Sequence, residues 1–183
     1  HPKKNTVATF LWNTLLGLIK QSPAKEQLKG IIIALNLPEI MRKTNHQGKN
    51  VLIHDLKKRV MDLRTQFGTQ LSFHFVITKC DLLPGFTEFF SEAGSDELAH
   101  AWGITMPAFQ PEDKLLDVFS ARFNALIKQI NKQLLMRLHQ ERNASARHAI
   151  KDFPLHLEQL KENILHILKA LALPDLCLET VYL

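Results

Sequence analysis

Glycine is scarce, at 7 of 183 residues, which leaves little material for loops that cradle phosphates. No stretch reads Gly-x-x-x-x-Gly-Lys-Ser/Thr. The nearest, Gly48-Lys49-Asn50, lacks the earlier glycine and the following hydroxyl, and reads as a surface loop. A convincing Asp-x-x-Gly for magnesium and a γ-phosphate is missing too. Phosphoryl transfer depends on positioned phosphates and metal, so this segment cannot hydrolyse nucleotide alone, and no catalytic residue is assigned. Cysteine is limited to Cys80 and Cys177, far apart and without metal-ligand spacing. That excludes a disulfide framework and suits a reducing compartment. No apolar run approaches the roughly 18 residues of a membrane span. A secretory signal is absent, and the chain opens at His1 rather than methionine. The expectation is a piece of a longer protein, with membrane attachments and half of its active site elsewhere.

What is present is an ordinary globular composition, 45% hydrophobic and 22% charged. The net charge of +5 is spread along helices that also carry acids. A nucleic-acid binder would gather its positive charge on one face with interleaved aromatics, so none is expected as a partner. An acidic protein or an anionic membrane surface accounts for the excess equally well. The histidines show no His-Glu-x-x-His spacing. His54 and His74 read as structural, and His139, His148, His156 and His166 are scattered over helices.

Periodicity divides the chain in two. Phe10, Leu11, Leu15, Leu18 and Ile19 recur at helical spacing and predict an amphipathic helix with one buried face. Gly30 to Leu37 (GIIIALNL) reads as a strand buried on both faces. Asn50 to Phe67 reads as a second amphipathic helix ended by Gly68, and Leu71 to Thr78 as a second strand. Strand, helix, strand is the unit that pairs two parallel strands through a crossover. The first helix would cover a face of that sheet, and the remaining strands would precede His1. After the Pro84-Gly85 turn, short helices are expected over Thr87–Ala93 and Asp96–Trp102. A long helix from Pro111 to Arg142 and another from about Pro154 to Leu171 then pack antiparallel. The resulting division is an α/β part over 1–106 and a helical part over 107–183.

The second strand delivers Thr78-Lys79-Cys80-Asp81 to its carboxyl end, where open α/β sheets bind ligands. A carboxylate there can accept hydrogen bonds from the N1–H and amino group of guanine, which adenine does not offer. The turn resembles the box with which GTP-binding proteins recognise guanine: Asp81 suits that role, Lys79 can lay its methylenes along the base, and Thr78 supplies a hydroxyl at the first position, where that box normally has an asparagine. The plain alternative is that Asp81 caps a turn and that Cys80 is a small buried residue.

Several stretches agree in order with one family. "KCDLLPGFTEFF" and "HAWGITMP" resemble the IcmF/TssM family of secretion-system inner-membrane proteins. The matching residues are Lys79, Asp81, Leu82, Gly85, Phe86, Phe89, Phe90, Trp102 and Gly103. Trp12, Leu16 and "KGIIIALNLPEI" are similar upstream, and Arg147, Ile150 and "DFP" downstream; in "LETVYL", Glu179 and Thr180 depart from the pattern. The resemblance implies a fold of α/β followed by α. It would be a partial GTPase-like (P-loop-type) parallel sheet lacking its N-terminal half, plus a helical extension. It further implies a cytoplasmic portion anchored in the bacterial inner membrane by helices outside this segment. A DotU/TssL-like subunit would be its partner, in a type VI or Dot/Icm type IVB system. GTP would bind only with upstream sequence. Two roles stay open, a scaffold and an NTPase switch. Phe109, Phe119, Leu135 and Leu168 are the residues expected to test partner contact, with core packing as the alternative for each.

Overall fold

The computed structural model describes residues 2–23, 26, 28–42, 46–68, 71–91, 94, 102–107, 114–171 and 177–183, with the side chains of 2–6 and 46–50 left aside. Helix α1 (Pro2–Gln21) precedes strand β1 (Gly30–Asn36), a one-turn helix α2 (Leu37–Met41) and helix α3 (His46–Phe67). Strand β2 (Ser72–Thr78) leads through a 3-10 turn (Cys80–Leu82) to α4 (Phe86–Phe90) and strand β3 (Gly103–Thr105). Two long helices follow, α5 (Leu115–Gln140) and α6 (Ala144–Leu171), and strand β4 (Cys177–Tyr182) ends the chain.

The expected parallel unit is present. β1 and β2 run parallel in unbroken register from Gly30 opposite Ser72 to Asn36 opposite Thr78, joined through α3. The sheet differs from expectation in having four strands in the order β1-β2-β4-β3, two of them drawn from later in this chain. β4 lies parallel to β2, and β3 is antiparallel to β4, so the sheet is mixed rather than parallel. The chain therefore leaves the sheet for the α5–α6 hairpin and returns to it, and one core runs across residue 106.

Alternation explains which face the hairpin covers. Phe73, Phe75 and Ile77 of β2 point to one face with Leu35 of β1, and all are buried. Phe119, Phe123, Ile150, Phe153, Leu157 and Leu160 of the hairpin join them in that core. Each such side chain contributes about 1.5–3 kcal/mol on burial. The opposite face is not covered as β1 was expected to be: Ile32 is 72% exposed. On this face His74 meets the Thr180 hydroxyl at 2.9 Å through Nδ1, and the Ser72 hydroxyl donates to the Glu179 carboxylate. The two residues that depart from the family segment thus tie β4 to β2.

α1 also differs. It lies against α3, where the Trp12 indole N–H donates to the Asp62 carboxylate (3.0 Å) and the Arg59 guanidinium sits 4.5 Å over the Trp12 ring. Leu16 is buried in that contact, whereas Phe10, Leu11, Leu15 and Leu18, the stripe expected inside, face outward. α3 begins at His46, so Gly48-Lys49-Asn50 is helical and not a loop.

The helices of the hairpin meet as expected from their steps of three and four. A three-residue link forces them antiparallel, and Lys161 Nζ of α6 donates to Asn124 Oδ1 of α5 at 3.0 Å. α6 starts ten residues before the expected Pro154, which lies buried inside it. Its start is set by Asn143, whose Oδ1 accepts from the backbone N–H of Ser145 (2.8 Å) and Ala146 (3.2 Å). An interior proline costs about 3 kcal/mol; the buried Phe153, Leu157 and Leu160 beside it offset that cost. The expected Pro111 start of α5 lies outside the described residues, as does the helix expected over Asp96–Trp102 except for Trp102, which is not helical.

Candidate functional site

β2 ends at Thr78, and its register partner at the end of β1 is Asn36. The Thr78 hydroxyl donates to the carbonyl of Leu35 at 3.4 Å, linking the carboxyl ends of the two strands. Beside it, the buried Asn36 Oδ1 meets no hydrogen-bond partner among the described residues. An acceptor shielded from water and unpaired is costly, and it makes Asn36 a site candidate that periodicity and motif reading both missed. Its only sequence signal is an amide closing an apolar strand.

Lys79 follows in the left-handed region (φ 62°, ψ 40°), the single non-glycine residue at positive φ among the described residues. That conformation costs a non-glycine residue roughly 1–2 kcal/mol. It turns the chain sharply, so that Thr78, Lys79 and Asp81 all stand exposed at the rim of the sheet while Cys80 turns inward. Lys79→Gly should therefore stabilise the chain by about 0.5–1 kcal/mol in urea unfolding, after the extra backbone entropy of glycine is deducted. A destabilised Lys79→Gly would mean that the lysine side chain anchors the turn.

Cys80 Sγ donates to the Ile77 carbonyl at 3.2 Å. Burial, and then the neighbouring Asp81 carboxylate, push its thiol from the ordinary 9.0 to about 11. The folded chain thus holds this proton more tightly than the unfolded chain. The associated stability is full below about pH 9 and is lost as pH rises toward 11. At pH 8 iodoacetamide should modify the half-buried Cys177 well before Cys80, as peptide mass spectrometry would read; prior loss of the Cys80 thiol would contradict this.

A largely apolar cleft of about 340 Å³ opens at the same end of the sheet. Leu37 and Met41 line it after β1, Leu82 and Leu83 after β2, and His156 and Gln159 from α6. Lys79 and Asp81 stand on the turn that forms one wall and are not among its lining residues. The structure therefore brings the three predicted residues to one rim, together with the base of a hollow. Of the residues expected to test partner contact, Phe119 and Leu168 are core, Leu135 is exposed, and Phe109 lies outside the described residues.

The remaining residues of the family box build the wall behind this rim. Phe86, Phe89, Phe90, Trp102 and Phe153 form one aromatic cluster with ring centroids 5.0–6.3 Å apart. The Arg137 guanidinium lies 5.6 Å over the Phe89 ring. The box thus has a structural purpose, to fasten the loop after β2 onto α6.

An open mixed α/β sheet, backed on one face by a helical hairpin and carrying polar residues on its carboxyl rim, defines the class of this chain. It belongs to the IcmF-related N-terminal domain family, whose model matches residues 6–183. It is similar to the type VI secretion system component TssM1 of Pseudomonas aeruginosa (strain PAO1), with 27% identity over 166 residues, 90% of this chain. The chain spans 15% of the length of that relative. No solved structure matches it. Among the described residues, no helix is long and apolar enough to cross a membrane.

Proposed function

We propose that this chain is part of the cytoplasmic, GTPase-like portion of a type VI secretion component held at the bacterial inner membrane. Its role is that of a scaffold that binds a DotU/TssL-like subunit and stabilises the secretion complex. The observation that carries this reading is an uncovered assembly surface. Among the described residues β1 has a strand neighbour on one side only, and Ile32 stands 72% exposed on its open face. Phe10 and Leu18 on the outer side of α1 are 68% and 62% exposed. An unpaired strand edge is a template for a further strand, and a broad exposed apolar face marks a site of association. In this reading, strands from preceding sequence complete the sheet at β1, and the outer face of α1 receives the partner subunit.

The test is capture of the DotU/TssL-like subunit by the chain carrying its natural upstream sequence. Phe10→Glu with Leu18→Glu should abolish capture while leaving the circular dichroism unchanged. Undiminished capture by the double variant would remove α1 from the interface, and no capture by the unaltered protein would sink the scaffold.

The second reading is an NTPase switch, favoured by Thr78, Lys79 and Asp81 standing together on the carboxyl rim of the sheet. The exposed Asp81 carboxylate fits the paired donors of guanine, while phosphates and magnesium would need residues outside this chain. Saturable GTP binding by calorimetry that disappears in Asp81→Asn would favour the switch. Undetectable binding at millimolar nucleotide would leave the scaffold.

A further inference from the structure

At the far end of the hairpin, where α5 turns into α6, lies a second open cleft of about 350 Å³. It is lined by Leu138, Arg142, Ala144, Arg147, His148 and Lys151. Three permanent cations and a histidine face it, and no carboxylate belongs to the lining. Two acids neighbour these cations in the chain, Asp152 after Lys151 and Glu141 before Arg142, and the Glu141 Oε1 accepts the Asn143 backbone N–H at 2.7 Å. Among the described residues, the Arg142, Arg147 and Lys151 side chains form no ion pair or hydrogen bond.

This placement is electrostatically unfavourable for an unliganded protein. The N-terminal end of a helix carries partial positive charge and favours acidic residues. α6 has no acid in its first turn and carries Arg147 there instead. Arg147 and Lys151 are four apart on the same helix, a spacing at which like charges repel. Only Arg142, just beyond the carboxyl end of α5, is favourably placed. An anion in the cleft would relieve both repulsions.

We infer that the cleft at the α5–α6 turn is a binding site for a phosphate-bearing anion, with Arg147 and Lys151 as its principal ligands and Arg142 and His148 closing it. A phosphoryl group brings about −1.5 to −2 charges and three acceptor oxygens, which matches the several exposed N–H donors that line this one cleft. The arginines add the fork geometry that grips such oxygens in pairs. The cleft has room for more than one phosphoryl group, as in a diphosphate or a phosphorylated lipid headgroup. The site lies on the hairpin, and its assignment does not depend on guanine recognition at Asp81.

Calorimetric titration of the chain with inorganic pyrophosphate at low salt tests the free anion. Co-sedimentation with phosphatidylcholine vesicles, with and without phosphatidylglycerol, tests the headgroup. Each probe is applied to the unaltered chain, to Arg147→Gln/Lys151→Gln, and to Lys128→Gln, an exposed cation elsewhere on α5. Saturable pyrophosphate binding that weakens by roughly tenfold or more in the double variant assigns a soluble ligand. Retention on phosphatidylglycerol vesicles alone, lost in the double variant, assigns a lipid headgroup. The thermal midpoint of the double variant without ligand should equal or exceed that of the unaltered chain, which also shows that it folds. Binding of neither probe, an undiminished double variant, or equal weakening by Lys128→Gln overturns the assignment.

Discussion

Gly85→Ala should destabilise this chain by about 3 kcal/mol, and the loss should appear as separation of α4 from α6. Two costs combine at that position. Gly85 has a φ of 84°, where a Cβ meets the following carbonyl. An added Cβ would also fall inside contact distance of the Ala149 carbonyl oxygen and lie 2.8 Å from Phe153 Cβ. The obstructing atoms belong mainly to the α6 backbone, which cannot swing aside as a flexible side chain would. Two other glycines separate the terms. Gly68, at φ 94° with nothing within 4 Å of the added atom, should lose only about 1 kcal/mol on substitution by alanine. Gly94 has neither constraint and should change by less than about 0.5 kcal/mol. Urea unfolding of the three variants checks the order. A Gly85→Ala loss no larger than that of Gly68→Ala would show that α6 does not press on the turn.

The same residues show why some of this architecture is readable in the sequence and some is not. β1, α3 and β2 announce themselves because GIIIALN and SFHFVIT are apolar runs of strand length with a helical period between them. β3 spans three residues, too few for any period to register. β4 buries two consecutive residues in its middle, Thr180 beside His74 on the open face and Val181 opposite Phe75 on the core face, because the bulge opposite Phe73 and His74 shifts the phase of its alternation. Pro154 looks like a start and is an interior residue, because the cap that sets α6 is a lone Asn143 eleven residues upstream. The amphipathic pattern of α1 reveals an apolar stripe but not what covers it, and within this chain that stripe lies outward. At the rim, Thr78, Lys79 and Asp81 are legible because an apolar strand ends there and delivers a carboxylate and a lysine to its carboxyl end. The left-handed Lys79 backbone and the orphaned Asn36 amide depend on how two strand ends meet, which no local window records.

The second large effect belongs to Phe153. Its ring is fully buried and lies 5.1 Å from Phe89, 6.0 Å from Phe86, 6.1 Å from Phe90 and 6.3 Å from Trp102. Among the described residues it is the member of the cluster supplied by α6, so it carries the ring-to-ring contact between the loop after β2 and the hairpin, beside the Arg137 guanidinium of α5 over Phe89. Phe153→Ala should cost about 3–5 kcal/mol, from lost transfer energy and the cavity left behind. Phe153→Leu keeps most of the volume and should cost less than about 1.5 kcal/mol. The damage should be reported first by Trp102, stacked at 19° to the Phe153 ring, rather than by Trp12, which is held by Arg59 and Asp62 of α3. Near-ultraviolet circular dichroism, with Trp12→Phe to isolate Trp102, would read this before the helical signal falls. An alanine variant that unfolds at the same urea concentration as the unaltered chain, with the Trp102 signal unchanged, would mean that α4 and its rim are held by the sheet alone. The box residues Phe86, Phe89 and Phe90 would then need another explanation for their place behind Lys79 and Asp81.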